Sequence, residues 1–98
     1  MISNDEILTQ IEGIDTMDLG MVGDGSFHAF VFDWNEVSMV EVMPANNAIT
    51  RDGHDIKVTA EADITFRDGG TLSKTLLIHA NDEQGVFGLR NISVVQAA

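Results

Sequence analysis

Residues 55–67 alternate between apolar and polar side chains without a break. A period of two residues places successive side chains on opposite faces of a β-strand. The segment is therefore predicted to be a long strand with one face toward the core and one toward solvent. The side chains predicted to face the core are Ile56, Val58, Ala60, Ala62, Ile64 and Phe66.

Turn-forming residues follow this strand. The run 67–70 (Arg-Asp-Gly-Gly) predicts a hairpin turn, because glycine adopts the positive φ that tight connections need. Residues 72–80 are then the partner strand. A second turn over 81–85 leads to a last strand over 86–95, with a β-bulge predicted near Gly88.

The N-terminus carries the signature of a short helix over residues 4–12. Ser3 and Glu6 have the spacing of a capping box, in which each side chain bonds to the backbone of the other residue. Three apolar residues fall on one helical stripe, and a glycine provides the stop. These residues are Ile7, Leu8, Ile11 and Gly13.

The segment between the helix and residue 55 is predicted to contain three further strands. Residues 17–21 alternate between apolar and other residues and end at a Gly-Asp-Gly turn. Residues 27–34 and 37–43 are apolar on both sides of the alternation, which is typical of strands covered on two faces. A looser run over 44–50 is predicted to be a loop within the same domain.

Consecutive strands joined by turns predict an antiparallel meander of five or six strands, with the short N-terminal helix packed on one face. This is an α+β fold in one domain spanning residues 1–98, a usual length for a single core. An all-β sandwich or small barrel is the alternative, since one short helix cannot cover strands that are apolar on both faces. A second copy of the chain could also cover them, and homodimerisation through Val37, Met39 and Met43 is therefore predicted.

Charge is distributed unevenly along the chain. The first fifty residues contain nine carboxylates and no lysine or arginine, whereas the second half contains all five bases and seven acids. The net charge of −11 therefore lies mostly in the first half. A surface of one sign attracts cationic partners and repels nucleic acid and anionic lipid. Direct nucleic-acid binding and membrane association are accordingly not expected.

Other features of the sequence narrow the function further. The acidic start MISNDE does not resemble a secretory signal, and no apolar stretch is long enough to span a membrane, so a cytoplasmic protein is expected. The chain has no cysteine, which excludes disulfides and thiolate chemistry. No phosphate-binding loop, nucleophile elbow or calcium loop is present. We therefore expect no cofactor and no enzymatic activity.

The three histidines are the remaining candidates for chemistry. None has the spacing of a helical zinc site, so we expect no metal. His28 is predicted to be a partly buried residue bonded to backbone, and His54 beside Asp55 could orient an imidazole for acid–base work. The acid–base hypothesis for His54 has little support, because a His-Asp dipeptide is common at the end of a turn. No catalytic residue is therefore predicted.

The main hypothesis is a small non-enzymatic interaction protein that binds and blocks a basic, nucleic-acid-binding protein. A phage or mobile-element origin would suit such a protein, although no residue carries that suggestion. The residues predicted to contact the partner are Asp5, Glu6, Glu12, Asp15, Asp18 and Asp24.

Three other interpretations remain open. The acids could simply form a solvated face that keeps the protein soluble. The chain could be a structural, self-assembling subunit. It could also be a ligand-binding or hydrolytic domain whose pocket is lined by Phe30, Phe32 and Trp34, with His28 or His54 at the mouth.

Overall fold

The computed structural model describes residues 2–29 and 34–95, and gives only the backbone for residues 34 and 45–47. Three helices precede a four-stranded antiparallel sheet with strand order β1-β2-β3-β4. The elements in chain order are α1 (Asn4–Glu12), α2 (Thr16–Val22), α3 (Gly25–His28), a 3-10 turn (Trp34–Glu36), β1 (Val37–Asp52), β2 (Asp55–Phe66), β3 (Thr71–Glu83) and β4 (Val86–Val94).

The predicted α+β meander with a helix on one face is confirmed. A register shift between Pro44 and Ile49 divides β1 into two segments that both pair with β2, so the sheet has five paired segments. The sheet is open and is not closed into a barrel. The helices cover one of its faces, and the opposite face, called here the open face, carries mostly polar side chains.

The alternation that predicted β2 is confirmed from Asp55 to Ile64, where burial alternates between exposed and buried. Phe66, the last of the predicted core residues, ends the strand and is half-buried. The buried side chains of β2 belong to the same core cluster as Ile7 and Ile11 of α1, both of which are fully buried. Burying one such isoleucine contributes about 1.5–3 kcal/mol. The face that β2 turns toward the helices therefore forms the centre of the core.

Helix α1 has the predicted bounds, with half of the predicted capping box. The Ser3 hydroxyl accepts a hydrogen bond of 3.1 Å from the Glu6 backbone N–H, which satisfies one free donor at the helix start. The Glu6 carboxylate accepts from the Gln10 side chain at 3.1 Å instead of from the Ser3 backbone. The helix ends at Glu12, and Gly13 follows as its C-cap, with its N–H donating to the Thr9 carbonyl.

The predicted strand over 17–21 is wrong, because these residues lie in α2. Asp15 and Asp18 form a complete capping box, since each side chain accepts from the backbone N–H of the other residue, at 3.0 and 3.2 Å. Met17 and Met21 are one helical turn apart and stay exposed, whereas Leu19 is buried. The apparent period of two came from these three side chains, and the spacing of the two aspartates was the signal that identifies a helix.

The Gly-Asp-Gly run at 23–25 is not a hairpin turn, because it begins α3. Asp24 is the N-cap of this helix, and Phe27 is buried within it. The predicted strand over 27–34 is therefore wrong at its start. Residues 30–33 lie outside the described part of the chain.

Strands β1 and β3 are longer than predicted. β1 runs through the expected loop at 44–50, and β3 continues to Glu83, so the turn is the shorter pair Gln84-Gly85. Both turn residues have positive φ, at 56° and 83°, the conformation of a two-residue hairpin. A register shift opposite His79 and Ala80 confirms an irregularity in β4 close to the predicted bulge.

The three β1 residues that were predicted to associate with a second copy do not share one face of the strand. A register shift between Val37 and Met39 places Val37 in the core, where it is 4% exposed. Met39 and Met43 are 57% and 41% exposed, on the open face. Val37 is therefore not available for contact, and the two methionines are.

Candidate functional site

The acids of α1 point away from the core. Ile7 and Ile11 fix the buried stripe of the helix, and Asp5, Glu6 and Glu12 are all exposed on the remaining surface. Asp5 and Glu12 are separated by roughly 10 Å along the helix axis. The first two acids also lie in the first turn, where the positive end of the helix dipole stabilises them.

The loop after α1 adds two more carboxylates. Asp15 is exposed and Asp18 is half-buried. Each uses one oxygen in the capping box at the start of α2. A carboxylate has about four lone-pair sites, so both groups keep acceptor capacity toward solvent. We call these five residues, Asp5, Glu6, Glu12, Asp15 and Asp18, the helical acidic surface.

Asp24 has a different role from the other predicted contact residues. Its side chain is the cap of α3, and one oxygen accepts from the Ser26 backbone N–H, the Ser26 hydroxyl and the Phe27 N–H. Its other oxygen accepts from the Asn91 amide of β4 at 3.2 Å. The Ser26 hydroxyl bond, with smaller contributions from the other three, outweighs desolvation and lowers the pKa of Asp24 below its ordinary value. This carboxylate fixes α3 to the sheet and is not part of the helical acidic surface.

Little positive charge compensates the helical acidic surface. Residues 2–29 contain no lysine or arginine. Arg51 of β1 extends toward them, and its guanidinium donates to the Ile2 carbonyl and, at 2.8 Å, to the Asn4 side chain. It also lies 3.9 Å from the Asp82 carboxylate. The guanidinium is thus used in fixing the N-terminal segment and does not pair with an acid of the surface.

The open face of the sheet carries a second group of acids, which sequence reasoning missed. Glu41 of β1 lies directly opposite Asp63 of β2, and Glu61 lies opposite Met43. Asp63 and Glu61 accept hydrogen bonds from the hydroxyls of β3 residues, Ser73 at 2.7 Å and Thr75 at 2.8 Å. The signal was present in the alternation of β1 and β2, but only the pairing register brings these residues together.

The weakly supported pairing of His54 with Asp55 is not among the contacts of the described residues. The Asp55 carboxylate instead lies 3.4 Å from Nε2 of His79 on the neighbouring strand. His54 places its Nδ1 atom 3.1 Å from the Asp82 carbonyl. His28 contacts the Phe27 ring edge-on, with ring centroids 5.5 Å apart. No group of three or more potential metal ligands occurs within residues 2–29 and 34–95.

A shallow depression of about 800 Å³ lies where the β1–β2 and β3–β4 hairpins end. Its charged side chains already have partners, Arg90 with Glu83 at 2.6 Å and Asp82 with the Ile2 and Gly85 backbone, so no free charge marks it as a ligand site. Its lining includes His54, Asn81, Glu83, Val86, Gly88 and Arg90. The pocket predicted from Phe30, Phe32 and Trp34 depends on side chains outside the described part of the structure.

No protein-family model, curated protein or solved structure matches the chain. No helix among the described residues is long and apolar enough to cross a membrane. The function must therefore be inferred from the residues and their arrangement.

Proposed function

We propose that the chain is a small non-enzymatic binding protein that occupies the basic surface of a protein partner, such as a nucleic-acid-binding groove, and blocks it. The observation that carries this proposal is the helical acidic surface. Its five carboxylates lie in a layer without lysine or arginine, and the base that extends into this layer, Arg51, is bonded to Ile2 and Asn4.

Electrostatic physics supports a role in partner selection more than in raw affinity. An exposed ion pair contributes about 0.2–1 kcal/mol, so five carboxylates cannot by themselves produce tight binding. A field of one sign does raise the rate of encounter with a cationic partner and rejects anionic competitors. A basic groove that binds phosphates would present such a cationic surface.

Self-association is a second candidate, because Met39 and Met43 are both exposed on β1. Methionine adapts to irregular contacts and is common at binding surfaces. The two residues are interrupted by Glu41, however, and a second copy would bring the same net charge of −11 to the interface. A basic partner is therefore favoured over a second copy.

The proposal is tested by capture from host lysate followed by titration of the purified partner. Asp5→Asn combined with Glu12→Gln removes two charges from the helical acidic surface. Glu36→Gln combined with Asp52→Asn removes two exposed charges elsewhere and is the matched control. The first variant should bind between about twofold and thirtyfold more weakly than wild type, mainly through slower association. The control should bind as wild type does.

Salt provides the decisive comparison. Exposed charge pairs are screened at an ionic strength of about 0.5 M, so binding of the wild type should weaken strongly there. Binding that is unchanged by salt, or that weakens equally in both variants, would show that the helical acidic surface does not select the partner.

A further inference from the structure

The two edges of the sheet differ in whether their backbone hydrogen-bonding groups are occupied. At the β4 edge, the Asp24 N–H donates to the Ile92 carbonyl at 2.9 Å, and the Val94 N–H donates to the Ser26 hydroxyl at 2.9 Å. The start of α3 thus occupies backbone groups that a foreign strand would need. Covering an edge in this way prevents strand addition.

Among the residues that the structure describes, none covers the β1 edge in this way over residues 39–43. β1 pairs with β2 on one side, and no backbone hydrogen bond from the described residues reaches its other side. Register shifts lie on either side of this segment, after Val37 and after Pro44, so the regular edge is short. Within it Glu41 is the one charged residue, and Met39 and Met43 are 57% and 41% exposed.

We propose that β1 accepts an added strand along residues 39–43, and that this strand is a basic, extended segment of the partner. The inference rests on the proposed function, because it supplies a binding mode for the same basic partner. Main-chain hydrogen bonds to an exposed edge are a general mode of peptide recognition. Five residues give a short interface, so charge has to contribute to the selection of the strand.

The charges beside the edge select the sign of that strand. Glu41 and Asp63 lie directly opposite each other, an arrangement of like charges that destabilises a sheet. A lysine or arginine in a strand paired with β1 would lie next to Glu41 and relieve this repulsion. A glutamate at the same place would increase it.

The selection of charge rests on the open face. The start of α1 lies at the other end of β1, where Arg51 donates to the Ile2 carbonyl and the Asn4 side chain. The acids of α1 are therefore not beside residues 39–43, and Glu41 with Asp63 supplies the negative charge there. Alternate residues of the segment would neighbour Val40 on the covered face and Glu41 on the open face, which predicts a partner sequence that alternates apolar and basic residues.

The test uses a synthetic, end-blocked peptide of about ten residues in which lysine alternates with valine, and a matched peptide with glutamate in place of lysine. Binding is measured by calorimetry, and backbone protection is measured by amide hydrogen exchange on the full chain. The lysine peptide should bind and should slow exchange within residues 39–43, while β4 stays unchanged. The glutamate peptide should not bind.

Two variants locate the charge effect within β1. Glu41→Gln should weaken binding of the lysine peptide by about two- to fivefold, the usual range for a cross-strand charge pair. Asp52→Asn removes an equal charge from the far end of the same strand and should leave binding unchanged. Both residues are exposed, so neither change is expected to prevent folding.

Four outcomes would overturn the inference. They are no binding of the lysine peptide up to about 1 mM, binding without protection of residues 39–43, equal binding of the glutamate peptide, and protection of these residues by dimerisation of the free protein. The proposed function has its own test. It would be contradicted if the Asp5→Asn, Glu12→Gln variant bound the natural partner as wild type does. It would be supported, and strand addition contradicted, if that variant lost the partner while residues 39–43 stayed unprotected in wild type.

Discussion

The carboxylate of Asp82 accepts a hydrogen bond of 2.8 Å from the backbone N–H of Ile2, a residue eighty positions earlier in the chain. Asp82 lies at the end of β3 and is 6% exposed, and its other oxygen accepts from the Gly85 N–H in the following turn. Arg51 connects the same two regions, since it bonds to the Ile2 carbonyl and lies near Asp82. One carboxylate thus fixes the start of the helical layer, the end of β3 and the last hairpin.

Asp82→Asn should lower the melting temperature by several degrees at neutral pH. The amide is uncharged and keeps a single oxygen acceptor, so either Ile2 or Gly85 loses its partner and Arg51 loses a nearby charge. Thermal unfolding measured by circular dichroism tests this expectation. Asp68→Asn is a suitable control, because that aspartate accepts a local hydrogen bond within an exposed turn. Equal melting temperatures for the two variants would contradict the role given to Asp82.

The contribution of Asp82 should disappear in acid. The hydrogen bond from Ile2, with smaller contributions from Gly85 and Arg51, outweighs desolvation and lowers the pKa of Asp82 below its ordinary value of 3.8. A group whose pKa is lower in the folded state stabilises the fold above the unfolded value, and this stabilisation is lost as pH falls through the folded value. The difference in unfolding free energy between wild type and Asp82→Asn should therefore be constant near neutral pH and shrink below about pH 4. Urea denaturation across this range measures it, and a difference independent of pH would contradict the assignment.

Gly23→Ala should destabilise the protein by about 1–3 kcal/mol, although the backbone φ of −63° at this position suits alanine. A Cβ atom there would lie 2.5 Å from the Leu19 carbonyl oxygen and 2.8 Å from the Phe27 ring. Gly25→Ala is the control, because a Cβ at Gly25 meets no atom within 4 Å. Urea denaturation should show a loss for the first variant alone. A similar effect of the two substitutions would show that the close packing of α2 on α3 is not required.

The elements that the sequence predicts correctly are those whose signals lie within the element itself. The strand over 55–66 and the helix over 4–12 were predictable, because period and caps lie within each segment. α2 was missed because three apolar residues on a short helix imitate a strand, while the capping pair Asp15 and Asp18 went unused. The extension of β3 was not predictable, since Asp82 at its end is buried only by virtue of partners far away in sequence.

The same distinction between local and long-range signals applies to the candidate site. The exposure of Asp5, Glu6 and Glu12 follows from the apolar stripe of α1, which is visible in the sequence. The use of Asp24 as a partly buried helix cap does not follow from the sequence, because it depends on contact with Asn91 of β4. Likewise, the opposition of Glu41 and Asp63 exists only in the observed register of β1 and β2.

Glu12→Lys should stabilise the fold by about 0.5 kcal/mol. Glu12 is the last residue of α1, where the negative end of the helix dipole disfavours a carboxylate, and no basic residue occurs in this turn. Asp5→Lys is the matched reversal of charge at the other end of the helix and should destabilise by a similar amount. Urea denaturation at low ionic strength measures both effects, which should decrease with added salt. Equal changes of the same sign would indicate that net charge outweighs the helix dipole.

Glu41→Lys should also stabilise the free protein by about 0.5 kcal/mol, because it replaces repulsion across the β1–β2 pair by attraction to Asp63. Its effect on binding should be opposite, since a lysine at this position would repel the basic strand proposed for the β1 edge. Urea denaturation and titration with the lysine peptide, carried out on the same preparation, separate the two effects. Higher stability together with weaker binding is the expected result. It would indicate that the Glu41–Asp63 pair, although it destabilises the sheet, contributes to binding of the partner. Higher stability with unchanged binding would assign Glu41 to solubility alone and move the search for the contact back to α1.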